Sequence, residues 1–298
     1  MRTIEEAANR LDALRRSGIV MPWLVGDVAA GRPTESRQPS MRPVAIESEP
    51  PEDAQRSVTL DLERLKHAGL LLPGETRSAL AQSFRRLKRP LLRNAQSGEA
   101  DRLSLIMVTS AVPGEGKTYC AINLALSIAA EIDTSVLLVD ADVVRPDAMR
   151  RLGVEATHGL LDVLAGDAPQ LAEAVLRSNV PKLSLLPAGT PRDMAAEWLA
   201  SAAMQRLLER LAAVPHRVVI FDAPPLLGTT EAAVLASRVG QVLLIVEASR
   251  TPAEVVAQAF AAVEQGTHVM AVLNKGRSPA PGYGYAYGYG ATDGGRAS

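Results

Sequence analysis

Six apolar runs limit what this chain can fold into. They read "LSLIMVTS", "SVLLVDAD", "KLSLLPAG", "RVVIFDAPP", "QVLLIVEAS" and "THVMAVLNKG", and they fall between residues 103 and 276. Stretches with helical patterning, 118–131, 194–213, 230–239 and 253–265, lie between most of them. A strand that is apolar on both sides must be covered on both sides, and strands alternating with helices meet that need as a parallel sheet between two helical layers. The expected fold class is therefore α/β.

The rest of the chain is organised around that block. Apolar positions at Ile4, Ala7, Ala8, Leu11 and Leu14 mark a short N-terminal helical segment over 1–30. Five prolines between Gly31 and Ser57, with few large apolar residues, read as a flexible linker over 31–57. A helical arm follows over 58–100, made of "LDLERLKHAG" and "RSALAQSFRRLKRPLLRNA". Pro90 is expected to kink or end its second helix. The α/β domain takes 101–277, and a Gly/Tyr-rich tail expected to be disordered takes 278–298.

Composition excludes several classes. A net charge of -1 gives no global attraction to nucleic acid or membrane. The single cysteine, Cys120, cannot form an intramolecular disulfide and reads as a small buried residue in a reducing compartment. The four histidines are scattered, without metal-ligand spacing. No apolar run reaches the ~18 residues a membrane span needs, and "MRTIEEAANR" does not read as a signal peptide. A cytoplasmic protein is expected.

The first strand runs directly into "SAVPGEGKT", Ser110 to Thr118, and then into the helical "YCAINLALSIAAE". This resembles a P-loop. Gly114 and Gly116 let the backbone curl so that N–H groups, that of Glu115 among them, face phosphate oxygens. The helix N-terminus adds partial positive charge there. Lys117 supplies a full charge to the β- and γ-phosphates, and the Thr118 hydroxyl can ligate Mg²⁺. Tyr119 follows at the helix start, placed for packing or for the nucleotide. Asp140 and Asp142 end the next strand and Asp222 a later one. Ligands of open parallel sheets sit at such strand ends. A single strand-end aspartate is often only a helix cap, but three beside one lysine can serve Mg·ATP as metal ligands and as a base.

Together "SAVPGEGKT", "VLLVDADVVRP" and "VVIFDAPPLL" resemble the Walker A, A′ and B motifs of the bacterial tyrosine kinases, of the type whose cytoplasmic catalytic domain is its own chain. The likeness extends through "GLLDVLAG" and "LLPAGTP" to "AVLN", and the arm looks most like the autokinases of exosortase and exopolysaccharide loci. The resemblance implies a P-loop NTPase fold with ATP and Mg²⁺ as cofactors. It implies that Lys117 holds the phosphates, that Thr118 and Asp222 hold Mg²⁺ with Asp142 helping, and that Asp140 activates the tyrosine hydroxyl. Arg145 matches the arginine of the A′ motif. It further implies a membrane-embedded polysaccharide chain-length co-polymerase as activator, hence a place at the inner membrane through a partner, and self-assembly, up to a ring. For the ring the family uses E-x-x-R-x-x-R on the arm helix, where this chain has Gln82, Arg85 and Lys88. Glutamine cannot make the charged contact of a glutamate. The alternative is a positioning ATPase of the ParA/MinD group. That group carries an extra lysine where this chain has Val112.

The tail holds Tyr283, Tyr285, Tyr287 and Tyr289, four of the five tyrosines of the chain. By composition alone a Gly-Tyr repeat is a sticky low-complexity tail. Beside an ATP site of this family it reads as the substrate, an autophosphorylation segment used by another copy of the chain. The arm helix carries six basic and no acidic residues from Arg77 to Arg93. It reads first as a protein interface, then as a membrane-facing surface. Nucleic acid ranks last, since Phe84 is the only aromatic nearby to stack on bases.

Overall fold

The computed structural model describes residues 56–97, 101–167, 171–263 and 266–276. The tyrosine tail, the N-terminal segment and most of the proline-rich linker lie outside the described residues. The six apolar runs form β2 (Leu105–Ser110), β3 (Ser135–Asp140), β5 (Leu183–Leu186), β6 (Arg217–Asp222), β7 (Gln241–Glu247) and β8 (His268–Asn274). Two three-residue strands complete the sheet, β1 (Arg56–Val58) and β4 (Leu176–Ser178). Both are too short for alternation to reveal them. The order is β1-β4-β5-β3-β6-β2-β7-β8, and every pairing is parallel except β4 with β5.

Side chains alternate across each strand, so one strand feeds two cores. Leu105 and Met107 point into one layer with Leu161, Leu199, Leu207 and Leu235. Ile106 and Val108 point into the other with Leu65, Leu91, Leu124 and Met149. The second layer is covered by α1 (Leu62–His67), α2 (Ala79–Gln96), α3 (Lys117–Ala129) and α4 (Ala148–Leu152). The first is covered by α5 (Leu160–Ala165), α6 (Leu171–Ala174), α7 (Ala195–Ala200), α8 (Ala202–Ala212), α9 (Thr230–Ala236) and α10 (Ala253–Ala261). The arm therefore shares the core of the α/β domain. Leu60, Leu65, Leu71, Phe84, Leu91 and Leu92 are all buried within it.

Three local expectations change. Helix α2 does not end at Pro90 but runs on to Gln96. A proline inside a helix costs about 3 kcal/mol, and the burial of Leu91 and Leu92 just beyond it offsets that cost. The helical run 194–213 is two helices, broken at Ser201, whose extended backbone lets its hydroxyl cap Met204 N–H. Strand β8 is not buried on both sides: it is the sheet edge, with Leu273 73% exposed. Among the described residues no helix is long and apolar enough to cross a membrane.

Candidate active site

The loop between β2 and α3 wraps the N-terminus of a 13-residue helix. Gly114 and Gly116 have φ of +90° and +98°, the left-handed region that a side chain disfavours. A Cβ on Gly116 would also lie 2.3 Å from the Asn274 amide nitrogen. Both glycines are thus required by the backbone.

Strands β3 and β6 pair in register with Asp140 opposite Asp222, which brings the two carboxylates together at the carboxyl end of the sheet. Lys117 reaches over them from α3. Its Nζ donates to Asp142 Oδ2 at 2.6 Å and lies 4.0 Å from Asp222 Oδ1. Asp142 is fixed by a second bond, accepted by Oδ1 from Arg145 N–H. Asp140 accepts from Ala148 N–H at 3.0 Å through Oδ2. Asp140 Oδ1 and both oxygens of Asp222 have no hydrogen-bond partner, although both residues are 0% exposed. Burial drives the Asp140 carboxyl up to about 7, with Asp222 adding repulsion. Burial likewise raises Asp222 to about 6, against the pull of Lys117.

Unpartnered buried carboxylate oxygens fit a divalent cation, which supplies the charge that burial removes. Among the described residues no group of three or more His, Cys, Asp or Glu side chains is arranged to hold a metal by itself. Mg²⁺ does not need one, since it is held by one or two carboxylates together with phosphate oxygens and water. Thr118 and Asp222 fit that role, with Asp142 beside them.

The side chains of two residues of the motif are engaged within the protein. The Tyr119 hydroxyl donates to Gly69 C=O at 2.8 Å, so its side chain ties the arm to α3, and only its backbone N–H is left for a nucleotide. The Glu115 side chain is 1% exposed and turned inward. It accepts from Val112 N–H, Glu247 N–H and the Thr251 hydroxyl. Asn274 and Lys275, at the end of β8, donate to the backbone of the same loop. Their contribution escaped the sequence reading, since only the strand order brings them to the P-loop. Cys120 is buried and free, its thiol pushed up to about 12 by burial.

Residues 104–269 match the family model described as an AAA domain. The chain is 33% identical over 186 residues to the tyrosine-protein kinase YwqD of Bacillus subtilis, covering 62% of this chain and 76% of that one. It is 35% identical over 148 residues to the putative tyrosine-protein kinase EpsB of Ralstonia nicotianae, covering 50% of this chain but only 19% of that protein. The kinase domain of the Escherichia coli tyrosine kinase ETK superposes with a TM-score of 0.61 at 29% identity, over 78% of this chain and 96% of that domain. A P-loop with glycines at both left-handed positions, its lysine over three strand-end aspartates, and a sequence matching across the sheet lead to one conclusion: the chain belongs to the bacterial tyrosine-protein kinases.

Proposed function

We propose that this chain transfers the γ-phosphoryl group of ATP to tyrosines of its own C-terminal cluster, Tyr283, Tyr285, Tyr287 and Tyr289, on another copy of the chain. The observation that carries the reading is the set of carboxylates, Asp140, Asp142 and Asp222, gathered around Lys117 at the mouth of the loop. Phosphoryl transfer needs little covalent help from a protein and depends on positioning and charge. Lys117 neutralises phosphate charge. Thr118 and Asp222 would hold Mg²⁺, which would supply positive charge against the phosphates. Asp140, whose carboxyl titrates near neutrality, is matched to accept the tyrosyl proton at physiological pH. Val112 in place of a second lysine disfavours the positioning-ATPase alternative, which also leaves the tyrosine cluster without a use.

A similarity of 32% over 201 residues to the succinoglycan biosynthesis transport protein ExoP of Rhizobium meliloti, 24% of whose length is matched, supports a role in exopolysaccharide synthesis or export. The activator would be a membrane-embedded chain-length co-polymerase, which would hold this chain at the inner membrane. Self-assembly rests on fewer contacts than the family's motif provides. Lys88 is 5% exposed and pairs within the chain with Glu131 at 2.7 Å. Arg85, Arg86 and Arg93 are exposed on α2, a basic surface that fits an acidic patch on a neighbour or activator. The deciding experiment incubates the protein with Mg·ATP and probes with anti-phosphotyrosine antibody. Signal on full-length protein and none on a chain truncated after Arg277 is expected, and ADP release without phosphotyrosine would favour the ATPase alternative.

A further inference from the structure

The chain grips the P-loop from outside just before the tyrosine tail begins. Lys275 Nζ donates to the Gly114 carbonyl at 2.7 Å and pairs with Glu247 Oε2 at 3.1 Å. Asn274 Nδ2 donates to the Glu115 carbonyl at 2.7 Å. The Glu115 carboxylate, fully satisfied, binds the same loop to Glu247 N–H and Thr251. Lys275 itself sits at φ +56°, a conformation a non-glycine residue adopts at a cost. Contacts on its side chain hold it there.

The peptide plane gives these contacts a consequence. In a trans peptide the C=O and the following N–H point in opposite directions. With the Gly114 and Glu115 carbonyls held toward Lys275 and Asn274, the N–H groups of Glu115 and Gly116 are turned away from the strap, to the side on which such a loop takes phosphate. Accepting a charged donor also polarises the Gly114–Glu115 peptide and strengthens that N–H as a donor. We propose that Asn274 and Lys275 are positioning residues for ATP, a strap that sets the direction of two phosphate-binding N–H groups. The inference rests on the nucleotide reading of the P-loop given above. The strap is also where the tail starts: Tyr283 follows Lys275 by eight residues.

The test compares full-length wild-type protein with Lys275→Gln, Lys275→Arg, Asn274→Ala and, as a control, Leu273→Ser at the exposed edge position next to the strap. Three readouts are taken: the Kd of a fluorescent ATP analogue with Mg²⁺, the separate kcat and KM for ATP, and Tm. Losing one charge-assisted bond to the loop is expected to weaken nucleotide binding and raise KM roughly tenfold. Expected kcat at saturating ATP and Tm are close to wild type, Lys275→Arg restores much of the affinity, and Leu273→Ser binds as wild type does. A purely structural role would lower Tm and leave the KM of the folded fraction unchanged, and that result would overturn the strap. A Kd equal to that of wild type in both Lys275→Gln and Asn274→Ala would overturn it as well, leaving the nucleotide site intact. Failure of the wild-type protein to bind the analogue would instead overturn the nucleotide reading, and the strap with it.

Discussion

Replacing Asp140 by asparagine is expected to stabilise the nucleotide-free fold while removing activity. The carboxyl is raised from an ordinary value of 3.8 to about 7 by burial and by Asp222 beside it. A carboxyl that holds its proton more tightly in the folded state contributes stability at low pH. That contribution is complete below about 4 and is lost as pH rises through about 7. At pH 8 the group is forced to ionise in place, and a rise from 3.8 to about 7 corresponds to on the order of 4 kcal/mol. Asp222 shares the same repulsion, so about half of that, ~2 kcal/mol, is a fair expectation for one substitution. The introduced amide keeps the acceptor for Ala148 N–H and offers donors to the unpartnered Asp222 oxygens. For a domain of this size ~2 kcal/mol is about 4–8 °C in Tm. The assay is thermal unfolding of both proteins in EDTA at pH 5 and pH 8. The gain for Asp140→Asn at pH 5 is expected to be about a third of that at pH 8, since only the interval from 3.8 to 5 of the rise to about 7 has then been crossed. No gain at pH 8, or an equal gain at both pH values, would refute the argument that ionising a buried carboxylate costs this fold stability.

Lys117→Met should abolish phosphotyrosine formation and keep the far-ultraviolet circular dichroism of wild type, while its Tm falls by a few degrees in the nucleotide-free protein because buried Asp142 loses its partner. Gly116→Ala should abolish ATP binding and lower Tm by several degrees, since the new methyl would meet Asn274 at 2.3 Å on a left-handed backbone. Leu91→Ala, at a position 1% exposed on α2, should cost about 2–5 kcal/mol in a single cooperative denaturant transition. A separate early transition of the arm would show that it folds apart from the sheet. Transfer between chains is tested by mixing Lys117→Met protein with active protein truncated after Arg277. Phosphate is expected on the inactive chain, and its absence, while full-length active protein still labels itself, would exclude the trans route.

Local chemistry made much of this protein legible in its sequence. The six apolar strands declared themselves because a doubly covered strand needs an unbroken apolar run, and the P-loop because only glycine readily accepts the two left-handed positions before Lys117. The three aspartates were legible as strand ends. What the sequence could not show was distance. That Asp140 lies opposite Asp222, and that burial leaves their oxygens unpartnered, follows from β3 pairing with β6, a neighbour far away in the chain. Strand order, set by packing of the whole sheet, also carried Asn274 and Lys275 to the P-loop. Packing overrode local signals elsewhere, as when α2 passed through Pro90 because Leu91 and Leu92 were worth burying. The same packing turned Lys88 inward to Glu131, away from any neighbour. Residue types and their spacing set which chemistry was possible, whereas partners and electrostatics were decided by tertiary packing, because burial and long-range pairing have no local signature.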